Sequence, residues 1–181
     1  MIFEEKTLSS EMIYRGKILN LRKDKVEVVG DKVSEREIIE HNGGVTLAAV
    51  TDDRKMVMVR QYRKAAGKAV LEAPAGKREK DEDPLETAVR ELKEETGYTA
   101  SDVKFLTKFY SSVGYSEEII YLYLCTGLTP GETEFDENEA LDIIEIGLDE
   151  LCVLAVNGGI EDSKTIIAVL LAKIYTENDH A

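Results

Sequence analysis

The sequence predicts a mixed α/β fold in which helices pack on the faces of a mixed β-sheet. Three observations support this prediction: strand-like apolar runs fill most of the first half of the chain, a well-marked helix follows them, and further strands lead into two more helices. The 181 residues are 43% hydrophobic, which is enough to bury the core of one domain and leaves room for a small extension.

The first forty residues have the pattern of β-strands. Residues 25–29 and 36–40 alternate in part between apolar and polar side chains, and the Gly30-Asp31 pair between them favours a turn. A unit of two or three strands is only marginally stable alone. Residues 1–41 are therefore expected to form a small β extension that packs on a second copy of the chain, making a homodimer, while residues 42–181 form the main domain.

The main domain carries its elements in the order strands, helix, strands, helices. Strands are predicted at residues 45–50, 56–62, 69–73, 105–110, 119–125 and 141–146, and helices at residues 84–96, 148–156 and 163–175. The first two of these strands are almost entirely apolar, a composition that is typical of strands at the buried centre of a sheet. Asp162 is a candidate cap for the last helix.

The first of these helices has the clearest boundaries. Asp83 is a candidate N-cap, Pro84 suits the first helical position, and Gly97 is well placed to end the helix. One face of the helix is apolar at helical spacing and is expected to pack on the sheet; it comprises Leu85, Ala88, Val89 and Leu92.

Charge and composition restrict the partners of the chain. A formal net charge of -13 repels a nucleic-acid backbone, and a small phosphorylated substrate would need metal ions or local arginines to offset the repulsion. No apolar run approaches the ~20 residues of a membrane span, and residues 1–6 are too polar to begin a signal peptide. Cys125 and Cys152 lie among apolar residues, so we expect reduced core thiols and a cytoplasmic protein.

The first helix also carries a group of carboxylates. Glu91, Glu94 and Glu95 are spaced i, i+3, i+4 and so lie within roughly a third of the helix circumference. Like charges this close repel one another, and a divalent cation bound between them removes the repulsion. Oxygen ligands favour Mg²⁺ or Mn²⁺, and Mg²⁺ commonly shares its coordination with substrate phosphates. Taken alone, the same triplet also fits a solvated acidic face.

The residues around the triplet distinguish between these two interpretations. Gly76, Glu82 and the run from Arg90 to Tyr98 have the residue types and spacing of the Nudix box, so the chain resembles the Nudix hydrolase family, with Tyr98 where an aliphatic residue is usual. The resemblance implies an α/β/α sandwich that hydrolyses a nucleoside diphosphate linked to a second group. It also implies metal ligation by Glu91 and Glu95 with Glu94, and an Arg90 that orients a carboxylate.

Segments outside the box resemble the ADP-ribose pyrophosphatase branch of the family. They are residues 61–63, residues 71–76, residues 137–141 and residues 158–162. This similarity implies Mg²⁺-dependent cleavage of ADP-ribose to AMP and ribose 5-phosphate, by a homodimer. It implies that the Ala75 carbonyl and Glu139 are metal ligands and that Glu137 is the general base. The residues that it implies as substrate contacts are Arg63, Glu72, Gly114 and Glu118, with Tyr14 and Arg36 from the amino-terminal strands.

One departure from the branch leaves the substrate open. Val113 replaces the usual proline of a Ser-Pro-Gly loop, and proline stiffens a loop by fixing φ. Another nucleotide sugar, ADP-glucose or GDP-mannose, is therefore the main alternative substrate. There are three further alternatives. A non-enzymatic ADP-ribose sensor is disfavoured by the intact box, and a glycosidase is disfavoured by the expected metal. An RNA-decapping enzyme is disfavoured by the acidic charge of the chain. His41, with no nucleophile paired to it, is assigned a structural role.

Overall fold

The computed structural model describes residues 2–133 and 141–178. The chain divides into two compact units. The first contains the residues up to Gly43 together with Tyr110–Ile119, and the second contains Gly44–Phe109 and the chain from Ile120 onward.

The first unit is built on an antiparallel sheet of three strands with β2 in the centre. The strands are β1 (Lys6–Arg15), β2 (Asn20–Val28) and β3 (Lys32–Glu40). Gly30 and Asp31 connect β2 to β3 with φ values of 79° and 55°, so the predicted turn is confirmed. The segment after Tyr110 joins this unit through the backbone of Ile39, whose N–H donates to the Tyr115 carbonyl at 2.8 Å and whose carbonyl accepts from Glu117 N at 2.9 Å.

The second unit contains two sheets and three helices. Its strands are β4 (Gly44–Ala49), β5 (Lys55–Arg63), β6 (Lys68–Glu72), β7 (Ala75–Lys77), β8 (Thr99–Tyr110), β9 (Ile119–Thr129) and β10 (Leu141–Gly147). Its helices are α1 (Pro84–Thr96), α2 (Leu148–Asn157) and α3 (Ser163–Asn178). One sheet has the order β10-β5-β6, and the other has the order β7-β4-β9-β8 with β4 and β9 parallel. The predicted mixed α/β fold is confirmed, although the short β7 was not predicted.

Alternation along the central strands places a hydrophobic core on each side of the sheets. Val45, Leu47 and Ala49 of β4 pack with Ala88 and Leu92 of α1. The neighbouring side chains of β4 and β9 point the other way and pack with helices α2 and α3; this second core includes Ala48, Leu122, Leu124, Leu151 and Val169. The period-2 pattern of the strands thus produces an α/β/α arrangement in which α1 has one face to itself.

The predicted boundaries of α1 are confirmed, but its predicted apolar face is partly wrong. Asp83 Oδ1 accepts a hydrogen bond from Leu85 N at 2.8 Å, and Gly97 ends the helix with φ 73°. Leu85 and Val89 are 43% and 52% exposed, and the helix instead buries Thr87, Ala88, Leu92, Glu95 and Thr96. The buried face of α1 is therefore rotated toward the carboxylates. Thr87 and Glu95 can be buried because Thr87 donates to the Asp83 carbonyl and Glu95 accepts from Ala75 N.

The helix α3 begins as predicted. Asp162 Oδ2 accepts from Thr165 N at 3.0 Å, and the Asp162 carbonyl accepts from Ile166 N at 3.0 Å. Within the described part of the chain, no helix is long and apolar enough to cross a membrane.

We propose that the amino-terminal sheet pairs two copies of the chain. Leu8, Ile13, Ile18 and Val33 are each about half exposed, although they belong to a strand-rich unit whose core is small. The chain is expected to be a dimer at micromolar concentration in light scattering, and the double variant Leu8→Glu/Ile13→Glu is expected to shift it toward monomer. The control Val156→Glu, in α2, also charges an exposed apolar site and should leave the dimer intact. A monomeric parent chain would contradict the proposal.

Candidate functional site

The strand β7 brings the backbone of Ala75 and Gly76 to the flank of α1. Pro74 turns the chain out of β6, and its carbonyl accepts from Leu47 N at 2.9 Å. The strand then pairs with the start of β4, in the register Thr46↔Ala75. Ala75 N donates to Glu95 Oε2 at 2.9 Å, which fixes one carboxylate of α1 against this strand.

Gly76 is required by the close approach of Glu91. A Cβ built on Gly76 would overlap the carboxyl carbon of Glu91, so a side chain at position 76 would push that carboxylate away from the backbone. On the other side, the Gly76 carbonyl lies 2.7 Å from the position that a Cβ on Gly44 would take. The helix and β7 can therefore bring a carboxylate onto the backbone only because residue 76 has no side chain.

The guanidinium of Arg90 holds three carboxylates at once. Its Nη1 donates to Glu91 Oε1 and to Glu94 Oε2, both at 2.8 Å. Its Nε donates to Glu82 Oε1 at 3.1 Å, and Nη2 donates to Glu82 Oε2 at 3.3 Å. Arg90 thus ties the loop before α1 to the two helix carboxylates and fixes their orientation.

Charge complementarity keeps Glu82 and Arg90 ionised. The hydrogen bond from Arg90 is the largest cause that lowers the pKa of Glu82 to about 2, and the N–H of Glu79, which donates to Glu82 Oε2 at 2.9 Å, adds to it. Burial works against the charge of Arg90, yet hydrogen bonds and the nearby charges of Glu82, Glu91 and Glu94 raise its pKa above its ordinary value.

The donor set has the chemistry that a hard divalent cation requires. Glu91 and Glu94 direct carboxylate oxygens at one cationic group, and the buried carboxylate of Glu95 adjoins them across β7. The cation at this centre is the Arg90 guanidinium, and among residues 2–133 and 141–178 no three Asp, Glu, His or Cys side chains are arranged to hold a metal ion. The type of ligand nevertheless suits Mg²⁺ or Mn²⁺, because both ions prefer hard oxygen ligands such as these carboxylates beside the Gly76 backbone.

A second charged group lies at the end of β6. Glu72 is 2% exposed; its Oε1 accepts from Arg63 Nε at 2.6 Å, and its Oε2 accepts from Arg63 Nη2 at 2.8 Å and from Lys164 Nζ at 2.5 Å. Burial alone would raise the pKa of Glu72, but the two cations outweigh it and the net shift is downward. The predicted substrate residues Arg63 and Glu72 are therefore direct partners of each other.

Four further predicted substrate residues lie in the first unit. Glu118 Oε1 is 3.4 Å from His41 Nδ1, and that nitrogen accepts from Gly43 N at 3.0 Å, in accord with a structural role for His41. Arg36 of β3 is paired with Glu5. Gly114 lies in an exposed turn, and Tyr14 of β1 is also exposed.

The predicted general base Glu137 and the predicted metal ligand Glu139 lie outside the described residues.

Tyr98, the one departure within the box, fits its position because its side chain has an apolar ring and a polar hydroxyl. The ring packs against the core on the α1 side, as an aliphatic residue would. The hydroxyl continues outward and donates to Glu145 Oε1 of β10 at 2.6 Å. The substitution therefore preserves packing and adds a hydrogen bond at the surface.

The amino terminus of α3 makes contacts that no pattern in the sequence predicts. Lys164 reaches Glu72, and Thr165 Oγ1, fully buried, accepts from Ala73 N at 2.8 Å. These contacts span about ninety positions in the sequence, |i−j| = 92, so only the fold reveals them. The one local signal was Asp162, a helix cap followed closely by a lysine and a threonine.

Two domain families match the chain. The NUDIX domain matches residues 41–169, and the nucleoside diphosphate sugar hydrolase N-terminal domain matches residues 5–41.

Three similar proteins indicate the range of relatives. An ADP-ribose pyrophosphatase of Bacillus subtilis (strain 168) is 42% identical over 168 residues, covering 92% of this chain and 91% of that protein. A methanol dehydrogenase activator of Bacillus methanolicus is 46% identical over 181 residues, covering 99% and 98%. The crystal structure of an ADP compounds hydrolase has the same fold, with a TM-score of 0.87 over 99% of this chain and 97% of that chain at 22% identity.

The Glu82–Arg90 pair predicts a pH-dependent contribution to stability. Because the pKa of Glu82 falls from 4.5 to about 2 on folding, its stabilisation is complete above pH 4.5 and is lost as the pH falls toward 2. Glu82→Gln should lower the free energy of unfolding by about 1 kcal/mol at pH 7, and by less at pH 3. Urea unfolding at both pH values measures this, with Glu86→Gln on the exposed side of α1 as the control. A deficit that does not change with pH would contradict the assignment.

Proposed function

We propose, from the premise that the chain belongs to the Nudix family of hydrolases, that it cleaves the diphosphate bond of ADP-ribose to give AMP and ribose 5-phosphate. The observation that carries the proposal is the group of α1 carboxylates that Arg90 orients beside the bare backbone of Gly76. The 42% identity to an ADP-ribose pyrophosphatase supports the choice of substrate.

The metal site is part of the proposal. Glu91, Glu94 and Glu95, with the Ala75 carbonyl, would hold Mg²⁺ or Mn²⁺, and Glu139 would complete the set. When bound, such a cation neutralises the diphosphate and helps to activate water. The contributions of the chain itself are the fixed positions of these groups: Arg90 orients Glu91 and Glu94, and the N–H of Ala75 orients Glu95.

The substrate contacts are also proposals. Arg63 would neutralise the diphosphate through a charge-assisted hydrogen bond, with its guanidinium held by Glu72. Glu118 would accept from the hydroxyls of the terminal ribose, beside Gly114. Glu137 would be the base that activates water, since His41 Nδ1 is already occupied as the acceptor of the Gly43 N–H.

The amino-terminal strands would supply the remaining contacts. Tyr14 and Arg36 would approach the adenine from the second copy in the proposed homodimer. Within one chain Arg36 is paired with Glu5, so Arg36 would have to release Glu5 before it could bind the substrate.

The cysteines support a cytoplasmic location, which we also propose. Cys125 and Cys152 are both free thiols. Burial raises the pKa of Cys125 to about 12, so its thiol stays protonated and serves as packing.

A second candidate function comes from a different relative. The identity of 46% to a methanol dehydrogenase activator extends over 99% of the chain, so activation of an alcohol dehydrogenase is the alternative for the physiological role. The assay adds the chain to a purified methanol dehydrogenase and follows alcohol oxidation. Stimulation by the parent chain and by Glu95→Gln alike would indicate activation without hydrolysis.

The substrate assignment predicts a ratio of specificity constants. With Mg²⁺ at one pH, kcat/KM for ADP-ribose should exceed the values for ADP-glucose and GDP-mannose by ~10-fold or more, which is ~1.4 kcal/mol in transition-state binding. Products are identified by chromatography.

A matched variant sharpens the test. Val113 is 80% exposed, so Val113→Pro changes the stiffness of its loop with little effect on packing, and it should increase the preference for ADP-ribose. A ratio in favour of a hexose derivative would overturn the substrate assignment. Tight binding of ADP-ribose without turnover would favour a sensor.

A further inference from the structure

Glu72 is a buried carboxylate with two cationic partners, one on β5 and one on α3. Arg63, from the end of β5, meets it with two parallel hydrogen bonds, and Lys164, from the first turn of α3, donates to Oε2. Two cations sharing one anion leave an excess of positive charge at the end of β6, which Asp162 balances through its own hydrogen bond with Lys164 at 2.9 Å.

Lys164 is itself held rigidly. Asp162 Oδ2 accepts from Lys164 Nζ, from Thr165 N at 3.0 Å and from the Thr165 hydroxyl at 2.5 Å. The Thr165 hydroxyl oxygen also accepts from Ala73 N, the residue that follows Glu72. The start of α3 is therefore tied to the chain just after β6, and the Lys164 ammonium is held between Asp162 and Glu72.

Arg63 is oriented by this group but retains hydrogen-bonding capacity. Its side chain is 44% exposed, and within the described part of the chain its Nη1 donates to no acceptor. It lines a pocket of about 430 Å³ in the second unit, together with Val70, Glu72 and Lys164. A long, half-exposed arginine has many rotamers, and the bidentate pair with Glu72 selects one of them.

We propose that Lys164 is a positioning residue for Arg63: it fixes Glu72, and Glu72 presents the Arg63 guanidinium to the diphosphate of the substrate. The inference rests on the proposed function, since it needs an anionic substrate at Arg63. Glu72 is assigned to holding Arg63, not to touching the substrate, because it is buried and both its oxygens are already used.

The physical basis is the cost of burying Glu72. Burial disfavours its charge, and the hydrogen bonds and charges of Arg63 and Lys164 overcome that effect and keep it ionised. Without Lys164, Oε2 loses one of its two donors, and the Glu72–Arg63 pair, still joined by its two hydrogen bonds, is no longer anchored to α3. The guanidinium then spends less time in the orientation that binds a diphosphate.

A double-mutant cycle tests the proposal. Lys164→Met should lower kcat/KM for ADP-ribose by ~10-fold in the parent chain, mainly through KM, because binding to the diphosphate is lost in the ground state as well. In an Arg63→Ala background the same change should cost less than ~2-fold, since a residue that acts through Arg63 has nothing left to position. Lys164→Gln should be intermediate, and Lys164→Arg should recover most of the activity.

Lys173 provides the matched control. It lies on the same helix and, like Lys164, is partly exposed and pairs with two carboxylates, Asp149 and Glu177. Lys173→Met should leave KM and kcat unchanged. Unfolding midpoints of all variants separate altered positioning from loss of fold.

The outcomes are distinct. Losses from Lys164→Met and Arg63→Ala that multiply in the double variant would overturn the positioning role while leaving the proposed function in place. A loss confined to kcat, or one that tracks the unfolding midpoint, would do the same. A parent chain that hydrolyses no nucleoside diphosphate derivative would overturn both the proposed function and this inference.

Discussion

The arrangement on which the site depends is a single guanidinium shared by several carboxylates. Glu82, Glu91 and Glu94 would repel one another at this distance, and Arg90 makes their proximity stable by donating to all three. The helix thus carries a concentrated negative charge with a defined orientation. A concentrated, oriented set of carboxylate oxygens is what a divalent cation needs from a protein, and a cation held there would offset the negative charge of a diphosphate.

The fold supplies the second half of the site by bringing backbone close to that helix. The alternation of β4 sends one set of side chains to α1 and the other to α2 and α3, so α1 lies directly over the strand beside which β7 pairs. Gly76 then allows Glu91 to touch the β7 backbone, and Ala75 binds Glu95. The helix α3 reaches the same segment from its amino terminus through Thr165 and Ala73.

What the sequence predicted well is what local chemistry determines. The caps Asp83, Gly97 and Asp162 depend on neighbours within a few residues, and all three lie where they were expected. The apolar face of α1 was partly wrong because periodicity cannot show that Glu95 would be satisfied inside. Three-residue β7 is too short to have a pattern. Lys164 could not be found at all, since its partner is about ninety positions away, |i−j| = 92.

The central claim is that the α1 carboxylates hold a catalytic cation, and Glu95→Gln tests it most directly. Gln keeps the shape and an oxygen for Ala75 N, so folding should be unchanged. We predict that turnover falls by at least ~10²-fold and that more Mg²⁺ is needed for half-maximal activity, while Glu86→Gln, on the same helix but exposed, behaves as the parent. Near-normal turnover of Glu95→Gln at saturating Mg²⁺ would contradict the account.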